Sequence, residues 1–130
     1  MGGLTINTTR GEIMRAVFES LSFQAKTALL ALEQAGNFKA GKVLCVGGGS
    51  KNRFWNQLRA DALGLPILTI DQKETTVLGA SFFAFTAAGL YEDPEQGHRQ
   101  VNYNIETTHP SEDAILYSKL FHQWQQKINL

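Results

Sequence analysis

The run Val46-Gly47-Gly48-Gly49-Ser50-Lys51-Asn52 holds the residues of this sequence best suited to grip a ligand. It closes a short apolar stretch and opens a helical pattern. Three glycines at the end of a strand let backbone come close to a bound group. The unpaired N–H groups where the next helix starts favour phosphate oxygens. Ser50 and Asn52 have the chemistry to meet such a ligand, but also to cap the helix while the glycines merely make a tight turn. On these residues alone, a phosphate- or nucleotide-binding loop and a plain turn are both open.

No single familiar fingerprint fits. The P-loop pattern Gly-x-x-x-x-Gly-Lys-Ser/Thr is absent. Gly47-x-Gly49, with Asp71 following the second strand, matches part of a dinucleotide-binding turn in which the acid holds a ribose. The third glycine position is Asn52, whose side chain would spoil the close helix–strand contact that glycine permits. A small NAD-binding module is therefore the alternative to an ATP site.

Other chemically capable residues point to structure. Asp61 reads as a hydrogen-bonding group on a helix, Arg10 as the partner of a carboxylate, and Lys51 as a solvated cation. Cys45 reads as a small hydrophobe in a buried strand. His98, His109 and His122 fall at no metal-ligand spacing, so neither a metal site nor a catalytic residue is assigned to this chain. Phe82, Phe83 and Phe85 read as packing residues.

The elements that position the glycine run are legible around it. Thr9-Arg10-Gly11-Glu12 has the form of a capping box, and a helix is predicted from about Gly11 to Glu33, stopped by Gly36. Ile13, Val17, Leu21, Ala28 and Leu32, widened by Phe18, Ala25 and Leu29, predict burial on more than one side. Residues 42–46 predict a strand buried on both faces. A helix runs from about Asn52 to near Gly64, and a second strand covers residues 65–70 with Pro66 near its start. A third helix spans roughly Thr75 to Ala88, closed by Gly89. Strand, glycine turn, helix, strand is a right-handed unit whose two strands should be parallel neighbours. Tyr91 to Pro110 reads as irregular, with one helical turn near Pro94 to Arg99. Ser111 to Lys127 reads as a last amphipathic helix with Ile115, Leu116, Leu120, Phe121 and Trp124 inward. The class is α/β, and two strands are too thin a sheet to cover their own apolar faces.

Composition excludes several partners. Of the 130 residues 43% are hydrophobic, enough for a core, and 12 Lys+Arg balance 12 Asp+Glu. A neutral chain carries no electrostatic footprint for nucleic acid or an anionic membrane. No apolar run approaches the ~18 residues of a membrane span. The start Met1-Gly2-Gly3-Leu4 lacks the pattern of a signal peptide, and the single cysteine allows no internal disulfide. A cytoplasmic protein is expected.

Three ordered blocks give a more specific signal. Gly47-Gly48-Gly49-Ser50-Lys51-Asn52-Arg53-Phe54-Trp55-Asn56-Gln57, with Ala60-Asp61 and Leu63-Gly64-Leu65-Pro66 behind it, closely resembles the C-terminal signature of the FGGY carbohydrate kinases. Asn7-Thr8-Thr9-Arg10-Gly11-Glu12 resembles their upstream segment, and Glu74-Thr75-Thr76-Val77-Leu78-Gly79-Ala80 their Glu-x-Thr-x-x-Gly-Ala block. The likeness covers about residues 4–90, with residues 91–130 as a peripheral tail. Within the family, Asn37-Phe38-Lys39-Ala40 and Phe54-Trp55-Asn56-Gln57 look most like the L-fuculose-phosphorylating branch, with xylulokinases and rhamnulokinases as neighbours.

The resemblance implies the latter part of the second lobe of a ribonuclease H-like, actin-like ATPase fold, with residues 1–130 as one unit. It implies ATP, with magnesium in the full enzyme, as the cofactor. Backbone at Gly47, Gly48, Gly49 and Ser50 would line the phosphate and ribose, Asn52 would reach the adenine, and Gly79 and Ala80 would let a helix pack near the pocket. The catalytic aspartate and sugar site of this family lie chiefly in the first lobe, so the chain alone is expected to be inactive. Its uncovered faces predict self-association. A non-enzymatic dimerising domain is a further alternative, which sedimentation without any nucleotide response would favour.

Overall fold

Thr9 starts the first helix. In the computed structural model, which describes residues 3–72 and 74–128, Thr9 Oγ1 accepts the Glu12 N–H at 3.2 Å, and the Glu12 carboxylate accepts the Thr9 N–H at 2.7 Å. The expected capping box is complete. The helix, α1, runs over Arg10–Gly36. It ends one residue later than the glycine suggests: Asn37 takes the left-handed conformation at φ 49° and donates its N–H to the Glu33 carbonyl. Asparagine tolerates that region, so it closes the helix as a glycine would. Arg10, the first helical residue, makes no ion pair among the described residues, contrary to the expected carboxylate pairing. Met1 and Gly2, part of the leader reading, lie outside the described residues.

The remaining elements are β1 (Val43–Cys45), α2 (Arg53–Leu63), β2 (Ile67–Ile70), α3 (Thr75–Ala87), α4 (Pro94–Arg99), β3 (Ile105–Thr108) and α5 (Ala114–Ile128). As expected, β1 and β2 pair in parallel, Val43 beside Ile67 and Cys45 beside Thr69. The sheet differs from expectation in having a third strand. β3, in the stretch read as irregular, pairs antiparallel to β2, with Ile67 opposite Thr108 and Ile70 opposite Ile105. The sheet order is β1-β2-β3, which makes β2 central.

Alternation along these strands gives the sheet two unlike faces. Ile67 and Thr69 point toward α2, and Ile67 is fully buried. Leu44, Val46, Leu68, Ile70 and Ile105 point the other way and line an apolar cleft of about 660 Å³ beside α3. β1 is therefore not buried on both faces: Val43 and Cys45 are half-covered, whereas Leu44 is 57% exposed. The uncovered face is the one a thin sheet was expected to leave open.

The core lies among helices. Phe23 of α1, Leu58 and Ala62 of α2, and Tyr117 and Phe121 of α5 form one buried cluster, flanked by Phe18, Leu63, Leu120 and Trp124. This corrects two faces. On α1 the packed side carries Phe18, Ser22, Phe23, Lys26 and Glu33, whereas Val17, Leu21 and Leu32 of the expected stripe are exposed. On α5 the inward residue missed by pattern is Tyr117, whereas Ile115 and Leu116 face solvent. Tyr117 is placed by polar bonds: its hydroxyl donates to Glu19 at 3.0 Å and accepts from Arg15 at 2.9 Å.

Glu33 ties the end of α1 to the chain that leads into β1. Its carboxylate accepts the Ala40 N–H at 2.8 Å and the Lys39 ammonium at 2.9 Å. The Ala40 backbone bond first, and Lys39 second, hold its pKa below the ordinary glutamate value. A carboxyl with a lowered folded pKa binds fewer protons folded than unfolded. Its stabilisation is present above the ordinary value and is lost as pH falls through the lowered one. Glu33→Gln is therefore expected to flatten the acid limb of stability while lowering stability at neutral pH. Urea midpoints measured from pH 7 down to pH 3 check this; an unchanged acid limb contradicts it.

Candidate nucleotide-binding loop

The glycine run folds as a loop whose inner side is held and whose outer side is open. Gly47 sits at φ 83°, in the region that favours glycine, and turns the chain out of β1. Gly48–Lys51 then form one 3-10 turn, and Asn52 passes the chain into α2. The loop stands at the carboxyl end of β1, beside the carboxyl end of β2, where ligands of parallel sheets bind.

Each loop residue has a distinct placement. A Cβ built on Gly47 or Gly48 meets nothing within 4 Å, so both face open space. Gly49 is the reverse: its Cβ would lie 3.0 Å from the Trp55 ring and 3.4 Å from the Arg59 guanidinium. Its bareness thus serves packing against α2. The Ser50 hydroxyl turns inward and donates to the Gly47 carbonyl at 2.7 Å, which closes the loop on itself. Asn52 caps α2, its Oδ1 accepting the Trp55 N–H at 3.1 Å. The Asn52 Nδ2 makes no hydrogen bond to another described residue and is available to a ligand. Lys51 is exposed and borders a polar hollow of about 460 Å³ with Ser50, Arg53, Asn56, Asp71 and Glu106.

Beneath the loop lie Trp55 and Asn56, which belong to the quoted signature block but were given no role there, and Arg59, which the sequence did not single out. Asn56 Nδ2 donates to the Ser50 carbonyl at 2.7 Å. Arg59 lies over the Trp55 ring at 3.5 Å and donates to Asn56 Oδ1 at 3.1 Å. Trp55 Nε1 donates to Ser22 Oγ at 3.2 Å, and Phe18 packs against Trp55 with ring centroids 4.9 Å apart. These link the loop to α1. The signal that could have found them is helical spacing: positions 52, 55, 56 and 59 share one side of α2.

Both aspartates weighed for chemistry are occupied. Asp61, buried as a structural residue, accepts the Ser111 N–H and the Gln57 side chain, fastening the approach to α5 onto α2. Asp71 accepts both the Asn104 N–H at 3.3 Å and its side chain at 2.7 Å, joining the end of β2 to the start of β3. Asp71 is exposed, and its carboxylate keeps further lone pairs beyond the two that Asn104 uses. Gly79 lines the apolar cleft with nothing within 4 Å of a Cβ, and Ala80 is exposed, so no element of this chain packs closely there. Cys45 is half-exposed, while His98, His109 and His122 lie apart on α4, in the loop before α5, and on α5. Among the described residues no group of three His, Cys, Asp or Glu is placed to hold a metal. No described helix is long and apolar enough to cross a membrane.

The family model for the C-terminal domain of the FGGY family of carbohydrate kinases matches residues 1–88. The chain is 48% identical over 101 residues to an L-fuculokinase of Salmonella typhi, covering 78% of this chain and 21% of that protein. It is 43% identical over 108 residues to an L-fuculokinase of Escherichia coli strain K12, covering 83% of this chain and 23% of that protein. Among solved structures, a Plasmodium falciparum glycerol kinase with ADP superposes with a TM-score of 0.76 at 25% identity, over 98% of this chain and 26% of that one. The chain spans only about a fifth to a quarter of these relatives.

The two kinds of glycine make opposite forecasts. Gly49→Ala is expected to destabilise by about 1–3 kcal/mol, because its methyl must displace the Trp55–Arg59 stack. Gly48→Ala should stay within about 0.5 kcal/mol of wild type, since it points into open space. Urea denaturation of the two variants checks this, and equal losses would contradict the placement.

Proposed function

We propose that this chain, which belongs to the FGGY family of carbohydrate kinases, is the nucleotide-holding C-terminal part of a sugar kinase that moves the γ-phosphate of ATP to a sugar hydroxyl. The observation that carries the reading is the loop itself. The Gly47, Gly49 and Ser50 carbonyls are bonded within the chain, Gly47 and Gly48 face open space, and beside them the Asn52 amide keeps a donor with no partner among the described residues. That arrangement suits phosphate oxygens at the glycines and a base edge at Asn52. The residues present therefore fit an adenine nucleotide. Magnesium belongs to the reading as the companion of the ATP phosphates.

The sugar is proposed to be L-fuculose, converted to its 1-phosphate, which the identity of 48% and 43% to two L-fuculokinases supports. A cytoplasmic setting, where ATP is at hand, is part of the same reading. Phosphoryl transfer also needs a base that orients the sugar hydroxyl and groups that hold the moving phosphate. Asp61 and Asp71 are bound to their own chain, so the reading leaves those roles to a first lobe. The apolar cleft beside α3 and the exposed stripe of α1 support burial against further protein, and self-association where that protein is missing.

The purified chain with MgATP and L-fuculose should release no ADP above background in a coupled assay; turnover would overturn the division of labour proposed. ATP, and not NADH, should raise its melting temperature. Asn52→Asp keeps the cap oxygen for Trp55 and replaces the free donor with an acceptor. It should weaken ATP about tenfold with little change in stability, the worth of one hydrogen bond. Protection by NADH alone would favour a dinucleotide site instead.

A further inference from the structure

Arg59 has an unusual set of partners for a cation. It is half-buried on α2 and meets no carboxylate among the described residues. Its guanidinium instead lies on the Trp55 ring, donates to Asn56 Oδ1 at 3.1 Å, and reaches the Gly49 carbonyl at 3.5 Å. Asn56, only 4% exposed, spends its own amide on the Ser50 carbonyl. Burial lowers the pKa of Arg59 from its ordinary value, with the neighbouring Cys45 acting in the opposite direction. An arginine nevertheless stays charged throughout the useful pH range.

The direction of these bonds is the informative point. Asn56 takes the Ser50 carbonyl, Arg59 the Gly49 carbonyl, and the Ser50 hydroxyl and N–H both take the Gly47 carbonyl. Across a trans peptide the C=O and the following N–H point opposite ways. Fixing the Gly47 carbonyl toward Ser50 therefore aims the Gly48 N–H away from it. The Gly48 and Gly49 N–H groups open the 3-10 turn and have no intrahelical partner. The loop's own turn spends the Ser50 and Asn52 N–H groups, whereas the Asn56 and Arg59 side chains take only carbonyls and leave the Gly48 and Gly49 N–H groups unspent.

We propose that Arg59 is a positioning residue for nucleotide binding: through Asn56, Trp55 and Gly49 it holds the loop so that the Gly48 and Gly49 N–H groups face the phosphate, and it sets an uncompensated positive charge beneath them. The bracing follows from the contacts above, while the phosphate rests on the nucleotide reading of the loop. Arg59 itself does not touch the ligand. Lysine at this position would keep the charge and lose the planar fork that spans ring and carbonyl.

The test uses the full chain, labelled with ¹⁵N, as wild type, Arg59→Lys and Arg59→Met. Heteronuclear NOE values at Gly48 and Gly49 report loop order without ligand, and a MgATP titration followed at the same amides reports affinity. Arg59→Met should lower the NOE at both glycines and weaken MgATP about tenfold, the scale of a lost hydrogen bond to a charged group. Arg59→Lys should recover part of the affinity through its charge and little of the loop order. A loss of thermal stability in Arg59→Met with unchanged loop NOE and unchanged affinity would overturn the proposal, since a purely structural arginine behaves that way. Should Arg59→Met fail to fold, Arg59→Lys decides by the same two readouts. If wild type gives no response to MgATP at these amides, the nucleotide reading falls, while the NOE comparison still decides whether Arg59 braces the loop.

Discussion

One side of α2 sets the shape of everything around the candidate site. Asn52, Trp55, Asn56 and Arg59 lie within two turns at the start of the same helix; Asn52 caps it, and the other three bind parts of the chain before it. Asn52 starts the helix, Asn56 and Arg59 hold the loop, and Trp55 reaches Ser22 of α1. Ser22 in turn donates to the Phe18 carbonyl, so the long first helix bears on the glycine loop through one buried hydroxyl. A loop of three glycines has large conformational freedom to lose on folding. Bonds from a helix that is itself packed on α1 and α5 offset that cost and hold the loop in one shape.

The same helix separates two different surfaces. Toward α1 and α5 it buries Leu58 and Ala62, and on its other side it packs on β2, where Ile67 and Thr69 are buried. The opposite face of the sheet borders α3, His98 of α4 and Tyr103 across a cleft that Leu44, Val46, Leu68, Ile70 and Phe82 also line. The chain has the length of about a fifth to a quarter of its relatives.

How much of this was legible in the sequence depends on the range of the forces involved. Local chemistry was readable: the Thr9–Glu12 capping box, the Gly64 and Gly89 turns and the helical turn at Pro94 each rest on residues a few positions apart. The parallel pairing of β1 and β2 followed from the handedness of their connection. β3 was not readable, because Ile105-Glu106-Thr107-Thr108 is short, mostly exposed and fixed by its partner β2 and by Asn104 on Asp71. The buried side of α1 was misjudged for a related reason. Leu21 and Leu32 are more apolar than Ser22 and Lys26, yet Ser22 meets Trp55 and Lys26 donates to the Ala62 carbonyl at 2.8 Å over the Phe121 ring. Apolar periodicity cannot identify a packing face built from hydrogen bonds and aromatic rings. The loop motif was visible, and Asn56 within it, but the brace was not, since Arg59 looks like an ordinary polar residue of a surface helix and nothing local shows that Asn56 turns back onto Ser50.

The division between Gly47, Gly48 and Gly49 narrows what the loop can do. Had all three glycines been packed against α2, the run would be explained as a tight turn and nothing more. Only Gly49 is so packed. Gly47 is required by its backbone conformation, which leaves Gly48 as a position where neither packing nor torsion asks for glycine. A residue without a side chain at an open position, between the internally bonded carbonyls of Gly47 and Gly49, is compatible with the close approach that the proposed nucleotide requires. Arg53 is paired with Glu106 across the adjoining hollow, so the charge that would favour an anion at the loop comes from Lys51 and Arg59 together with the Gly48 and Gly49 N–H groups. The Asn52 amide adds a neutral donor for a group with hydrogen-bonding edges. A nucleotide carries both features in one molecule, and an isolated phosphate would leave the asparagine without a role.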